Sequence, residues 1–274
     1  MDGTAIGVSR EAPEPGAVAP SASRPGPTLH DAPVSRNGLL AALFAYVALS
    51  GIAIIVGFLI IDHFGVAQDL DARAARWLAE RRSNRWNDAT WVGSGLADIF
   101  VKVPAAAALG AFFVWRWRRW NEAALLVGAL AFEAAVFVSA SMVVGRARPA
   151  ISQLDSIPLT SSYPSGHTGA AVAFYGAIAI VVHWHTCGRM ARRIAALAVA
   201  ALVVVVGASR MYRGMHHFSD VVVGVVIGVA SLWVVYLVVR RPGRQEPDRD
   251  EQRTGSSVDV VDDSPARVEA PRNA

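Results

Sequence analysis

Six apolar runs separated by short polar loops occupy the middle of this 274-residue chain, at 38–61, 99–115, 123–144, 169–184, 194–208 and 221–239. A helix needs roughly 20 residues to cross the hydrocarbon core of a bilayer. The first, third and sixth runs reach that length or nearly so. The fifth has to borrow flanking residues such as those at 190–193 or Ser209. The second starts near Trp91 and tolerates Asp98 and Lys102 inside it. One short run alone is equally a buried helix of a water-soluble core. Six in one chain predict an all-α polytopic membrane bundle with six transmembrane helices. A composition that is 53% hydrophobic and 18% charged agrees with this.

Residues 1–36 are rich in Pro, Ala, Gly and Ser without apolar periodicity, and 242–274 are polar with mixed charge and several prolines. Both read as disordered tails around a membrane domain at 37–241. The first apolar run begins too late and is too long for the h-region of a signal peptide. The single cysteine, Cys187, excludes an internal disulfide. The net charge of +4 is modest, and the basic residues cluster at the ends of apolar runs, so no nucleic-acid partner is expected.

The loops set an orientation. Residues 115–120 read WRWRRW, Arg189, Arg192 and Arg193 precede the fifth run, and Arg240, Arg241 and Arg244 follow the sixth. These three loops and both tails fall on one side. The positive-inside rule makes that side the cytoplasm of a multi-pass cell-membrane protein. The loop at 62–90 lies on the other side, with five Arg balanced by five acidic residues. Within it, LDARAARWLAERR at 70–82 reads as an amphipathic helix in the interface. Such a helix can cover a site or guide lipid to it; it reads equally well as a solvated helix packed on the bundle.

The chemistry-bearing stretch is SRMYRGMHHFSD at 209–220. On a helix, His216 and Asp220 would share a face, so that the carboxylate could accept a hydrogen bond from one ring nitrogen. The other nitrogen is then a base or nucleophile, and Arg210 can hold an anion before it. The alternative is a basic connecting loop. Two further polar blocks, GRARP at 145–149 and YPSGHT at 163–168, lie at the same predicted face. Two arginines beside HH-x2-D make a poor cation site, so no metal or other cofactor is expected.

In order along the chain these blocks give RP at Arg148–Pro149, PSGH at 164–167 and SR-x5-H-x3-D at 209–220. The pattern resembles the type 2 phosphatidic acid phosphatase (PAP2) superfamily of membrane lipid phosphate phosphatases, whose signature is K-x6-RP, PSGH and SR-x5-H-x3-D. The resemblance spans about 39–239. It implies a phosphohistidine reaction in which His216 attacks phosphorus, Asp220 supports it, and His167 protonates the leaving oxygen and then activates water. It also implies that Arg148 and Arg210 clamp the phosphate while Ser165 and the Gly166 amide donate hydrogen bonds. The expected substrate is a lipid phosphate or pyrophosphate, with a polyprenyl pyrophosphate preferred because the site faces away from the cytoplasm. Phosphatidate or phosphatidylglycerol phosphate comes next, then phosphoryl transfer to another lipid. A lipid-binding scaffold without turnover is the reading from a different class.

The first block departs from the family. Its lysine falls on Ser141, which offers a hydroxyl but no charge. Arg146 is the nearest replacement and Arg213 is another, and a lysine restored at 141 is expected to be tolerated. Two ionisable residues lie deep inside runs, Lys102 and Glu133. They are expected to pair, with Asp98 as the competing partner of Lys102, and Lys102 is expected to lie too deep to act at the site.

Overall fold

The computed structural model describes residues 34–240. The two proposed tails lie outside the described residues, apart from the few next to the first helix. Eight helices follow in chain order: α1 (Arg36–Asp62), α2 (Gly65–Glu80), α3 (Asn84–Gly95), α4 (Ile99–Trp117), α5 (Asn121–Val144), α6 (Gly166–His185), α7 (Arg189–Tyr212) and α8 (Phe218–Arg240). Among the described residues none is in a strand. Among the described residues six spans are long and apolar enough to cross a membrane, with α3 and α4 together forming the second.

That second span starts at Asn84, earlier than the Trp91 expected from apolarity. The Ser83 side chain accepts the Trp86 amide and so caps a polar first turn. Asp98 then caps α4 by accepting the Phe100 amide, which marks the break between the two pieces. This is a helix-start role.

Helices α5, α6 and α8 form the centre. α1 and α4 pack on α5, α7 packs on α6, and α3 packs on α7. The core holds Leu125, Leu126, Ala129, Ala173, Ala177 and Val235. Exposed Leu39, Phe44, Ile55, Leu197 and Val204 point outward, as a hydrocarbon surround requires. Small residues let α6 and α8 approach closely. A Cβ on Gly228 would fall 2.6 Å from the Gly169 carbonyl oxygen, and one on Gly224 would fall 2.5 Å from that of Ser165. This contact brings the start of α6 against the start of α8, where two of the polar blocks lie.

Helix α2 is the amphipathic segment expected in the interface. Val66, Leu70 and Trp77 are exposed on it, while Asp71 and Ala75 are buried. Its C-terminal end is tied down by Arg82, which donates to the carbonyls of Tyr212 and Ser152.

Candidate active site

The three polar blocks meet at one end of the bundle. The Ser165 amide donates to the Asp220 carbonyl at 3.0 Å, and Arg148 donates to the carbonyls of Met215 and Thr160. The meeting point is sunk below the helix ends. A Cβ on Gly166 would fall 2.9 Å from the Phe137 ring, which lies seven residues inside α5, about 10 Å from its end.

His216 is 5% exposed and precedes α8, so it does not share a helical face with Asp220. Its ring does not bond to that carboxylate either. Nδ1 lies 2.6 Å from the Ser162 carbonyl oxygen, which can only accept, so Nδ1 carries the proton and Nε2 keeps its lone pair. Burial, and after it the Arg210 charge, push the ring down to about 3. The imidazole is therefore neutral near pH 7, as a nitrogen nucleophile must be.

Asp220 has other duties. It is the third residue of α8, and its Oδ2 accepts the His217 amide at 2.8 Å, the back-reaching half of a capping box. The same oxygen accepts the Ser162 hydroxyl at 2.6 Å, and Oδ1 accepts Arg146 at 2.5 Å. The carboxylate thus fixes Ser162, whose carbonyl fixes His216.

Arg146 is consumed by this framework. Besides Asp220, it donates to Asp71 at 2.9 Å and to the Ser219 hydroxyl at 2.7 Å. Asp71, on α2, is 2% exposed and also accepts the Ser219 amide at 3.0 Å. An acidic residue in an amphipathic helix reads as part of a solvated face, so its partnership with a residue 75 positions away left no local signal.

Two cations remain aimed at the centre. Arg210 is 4% exposed and donates from Nη1 to the Ser94 hydroxyl and to Asp155, leaving its buried Nε without a partner. Arg148 spends its donors on carbonyls and meets no carboxylate within ion-pair distance; burial lowers its pKa, and the more distant Asp220 charge opposes the shift. His167, in the first turn of α6, makes no hydrogen bond among the described residues and lies within electrostatic reach of Arg210, His216, Lys102 and Arg148. Ser165 bonds to the Thr168 hydroxyl at 2.9 Å, and the Gly166 amide begins the helix. Helix N-terminal amides, two arginines and a neutral imidazole make a site for an anion that can be attacked.

The sequence profile of the PAP2 superfamily matches residues 122–244, which includes the PSGH and SR-x5-H-x3-D blocks that converge here. Over that stretch the chain is similar to the PAP2 superfamily. Its class is that of the membrane lipid phosphatases. A solved structure similar to this chain is the first transmembrane PAP2-type phosphatidylglycerolphosphate phosphatase from Bacillus subtilis. It is 21% identical, with a TM-score of 0.64, over 74% of this chain and 99% of that one. Another is LpxE from Aquifex aeolicus, 22% identical with a TM-score of 0.48, over 61% and 95%. No curated protein sequence matches.

Against the PAP2 signature, Ser141 is a strut rather than an open hydroxyl. It is 3% exposed, and its Oγ accepts the Ser161 amide at 3.0 Å and lies 3.1 Å from the Ser161 hydroxyl. That hydroxyl donates on to the Tyr163 carbonyl at 2.6 Å. The expected tolerance of lysine here is therefore reversed. Ser141→Lys places a buried ammonium under the turn that carries Ser162, and is expected to lower Tm by roughly 5 °C or more and to reduce kcat/KM by about tenfold. Thermal unfolding in detergent alongside phosphate-release kinetics reads both. The expectation that Arg146 replaces the missing charge also changes, because two carboxylates already neutralise it.

Lys102, the only lysine in the chain, lies within electrostatic reach of Glu133 and Asp98, but among the described residues the expected ion pair does not form. Glu133 is buried against Gly169. Lys102 also lies within electrostatic reach of His167.

Proposed function

We propose that this protein hydrolyses a polyprenyl diphosphate at the extracytoplasmic membrane face. The observation that carries the mechanism is the Nδ1–H of His216 held on the Ser162 carbonyl, which supports Nε2 as the nucleophile. Nε2 forms a bond to the terminal phosphorus as that phosphorus loses its bond to the bridging oxygen, and the polyprenyl monophosphate leaves. His167 gives its proton to the leaving oxygen, then takes one from water as water attacks the phosphohistidine and the P–N bond breaks. Arg148, Arg210, Ser165 and the Gly166 amide hold the non-bridging oxygens, where charge is carried in the transition state. Asp220 orients the nucleophile through Ser162. The arginine-rich loops at the opposite end support the placement of the site away from the cytoplasm.

The test is phosphate release by purified protein from undecaprenyl diphosphate, phosphatidylglycerol phosphate and phosphatidate. The first is expected to give the highest kcat/KM. A clear preference for either of the others moves the substrate assignment. Phosphate appearing on an added acceptor lipid instead of in water identifies a transferase. No turnover on any of them leaves a lipid-binding protein. Because arginines and amides neutralise the phosphate, the rate is expected to be unchanged by millimolar EDTA; loss on chelation and recovery with magnesium or zinc would overturn the metal-free reaction.

A further inference from the structure

We infer that Asp71, on the interfacial helix α2, is a positioning residue for His216. The inference rests on the proposed role of His216 as nucleophile. Asp71 is joined to the ring by an unbroken set of contacts. Its Oδ2 accepts Arg146 at 2.9 Å; Arg146 donates to Asp220 at 2.5 Å; Asp220 accepts the Ser162 hydroxyl at 2.6 Å; and the Ser162 carbonyl accepts His216 Nδ1–H at 2.6 Å. A second route is shorter. Asp71 Oδ1 accepts the Ser219 amide at 3.0 Å and Oδ2 accepts the Ser219 hydroxyl. Helix α8 is therefore capped from both sides, by Asp220 on the His217 amide and by Asp71 on the Ser219 amide. His216 is the residue immediately before this double cap.

Charge gives the same answer as geometry. Arg146 stands between two carboxylates that are 2% and 0% exposed. With Asp71 neutral, the guanidinium keeps one carboxylate and turns toward it. Asp220 is then pulled from Ser162, because one buried carboxylate cannot hold two strong donors and a helix amide in an altered geometry. The Ser162 carbonyl loses its alignment, and the His216 ring is no longer confined to one tautomer. Helix α2 also carries exposed Val66, Leu70 and Trp77. One short helix thus contacts both the apolar surround and the framework of the nucleophile.

The test compares Asp71→Asn with the unchanged protein in detergent micelles. Asp71→Asn is expected to lower kcat by about tenfold or more with KM within about threefold, since geometry and not substrate affinity is lost. Arg146→Gln is expected to do the same, and the double variant to be no worse than the worse single, as for residues acting in series. Fifteen-nitrogen NMR of histidine-labelled protein, with the signal assigned by His216→Gln, is expected to show Nδ1-protonated His216 in the unchanged protein. In Asp71→Asn it is expected to show a mixture of tautomers. The inference is overturned if the tautomer stays fixed in Asp71→Asn, or if the two substitutions multiply independently while Tm falls, which describes a helix clamp and nothing more. The tautomer decides this even if no lipid on the panel is turned over, in which case the proposed hydrolysis fails and the positioning does not.

Discussion

His216→Ala is expected to remove turnover, by roughly a thousandfold or more in kcat, while the protein still folds and binds lipid. Removing a nucleophile leaves only binding and electrostatic terms, which cannot replace the lost covalent route. The ring is buried, but only its single bond to the Ser162 carbonyl connects it to the framework, and the Asp220 contacts that cap α8 do not pass through it. His217 is the internal control. Its ring reaches the Ala147 carbonyl at 3.2 Å, so His217→Ala is expected to retain most of the rate. Steady-state phosphate release by the two variants, with circular dichroism to check helix content, makes the comparison. A His216→Ala protein with more than a few per cent of the original kcat would falsify the nucleophile assignment.

Arg210→Ala is expected to cost about 10²–10³ in kcat/KM, the range typical of a lost charge stabiliser in a dry site. Arg210→Lys is expected to recover only part of this, since an ammonium cannot reproduce the planar fork of donors. Arg213 serves as the contrast. It grips Asp155, the Leu154 carbonyl and the Asn87 carbonyl, and so ties the loop after Pro149 to α3. Its loss is expected to lower Tm more than it lowers the rate at 25 °C. Equal losses of rate in Arg210→Ala and Arg213→Ala, with equal falls in Tm, would show that both are loop anchors.

The length and apolarity of the runs were enough to find every span, because a bilayer demands both and tolerates few exceptions. The start of the second span was hidden, since a capped polar turn such as Ser83–Trp86 is stable without apolar residues. The end of the bundle where the site forms was legible from the order of RP, PSGH and SR-x5-H-x3-D. Its wiring was not. The spacing of His216 and Asp220 suggested a shared helical face, yet the cap at His217 ends the helix between them. HFSD can also be read as a helix start with an acid at its third position, and that reading is the one the fold uses. Asp71 and Asp155 were invisible for a different reason. Each is an ordinary acidic residue in a polar stretch, and only the fold brings it to Arg146 or to Arg210 and Arg213.

The partner of the His216 ring is a peptide carbonyl and not a side chain. A carboxylate in that place would lose its charge and gain a donor on protonation, and that charge would change what the ring is worth as a base. An amide oxygen presents the same lone pair in acid and in alkali, and it cannot be exchanged by a point mutation at Ser162. The acceptor of the proposed nucleophile therefore does not itself titrate, and its alignment depends on the Ser162 hydroxyl held by Asp220. What the environment can still change is the backbone on which that oxygen sits.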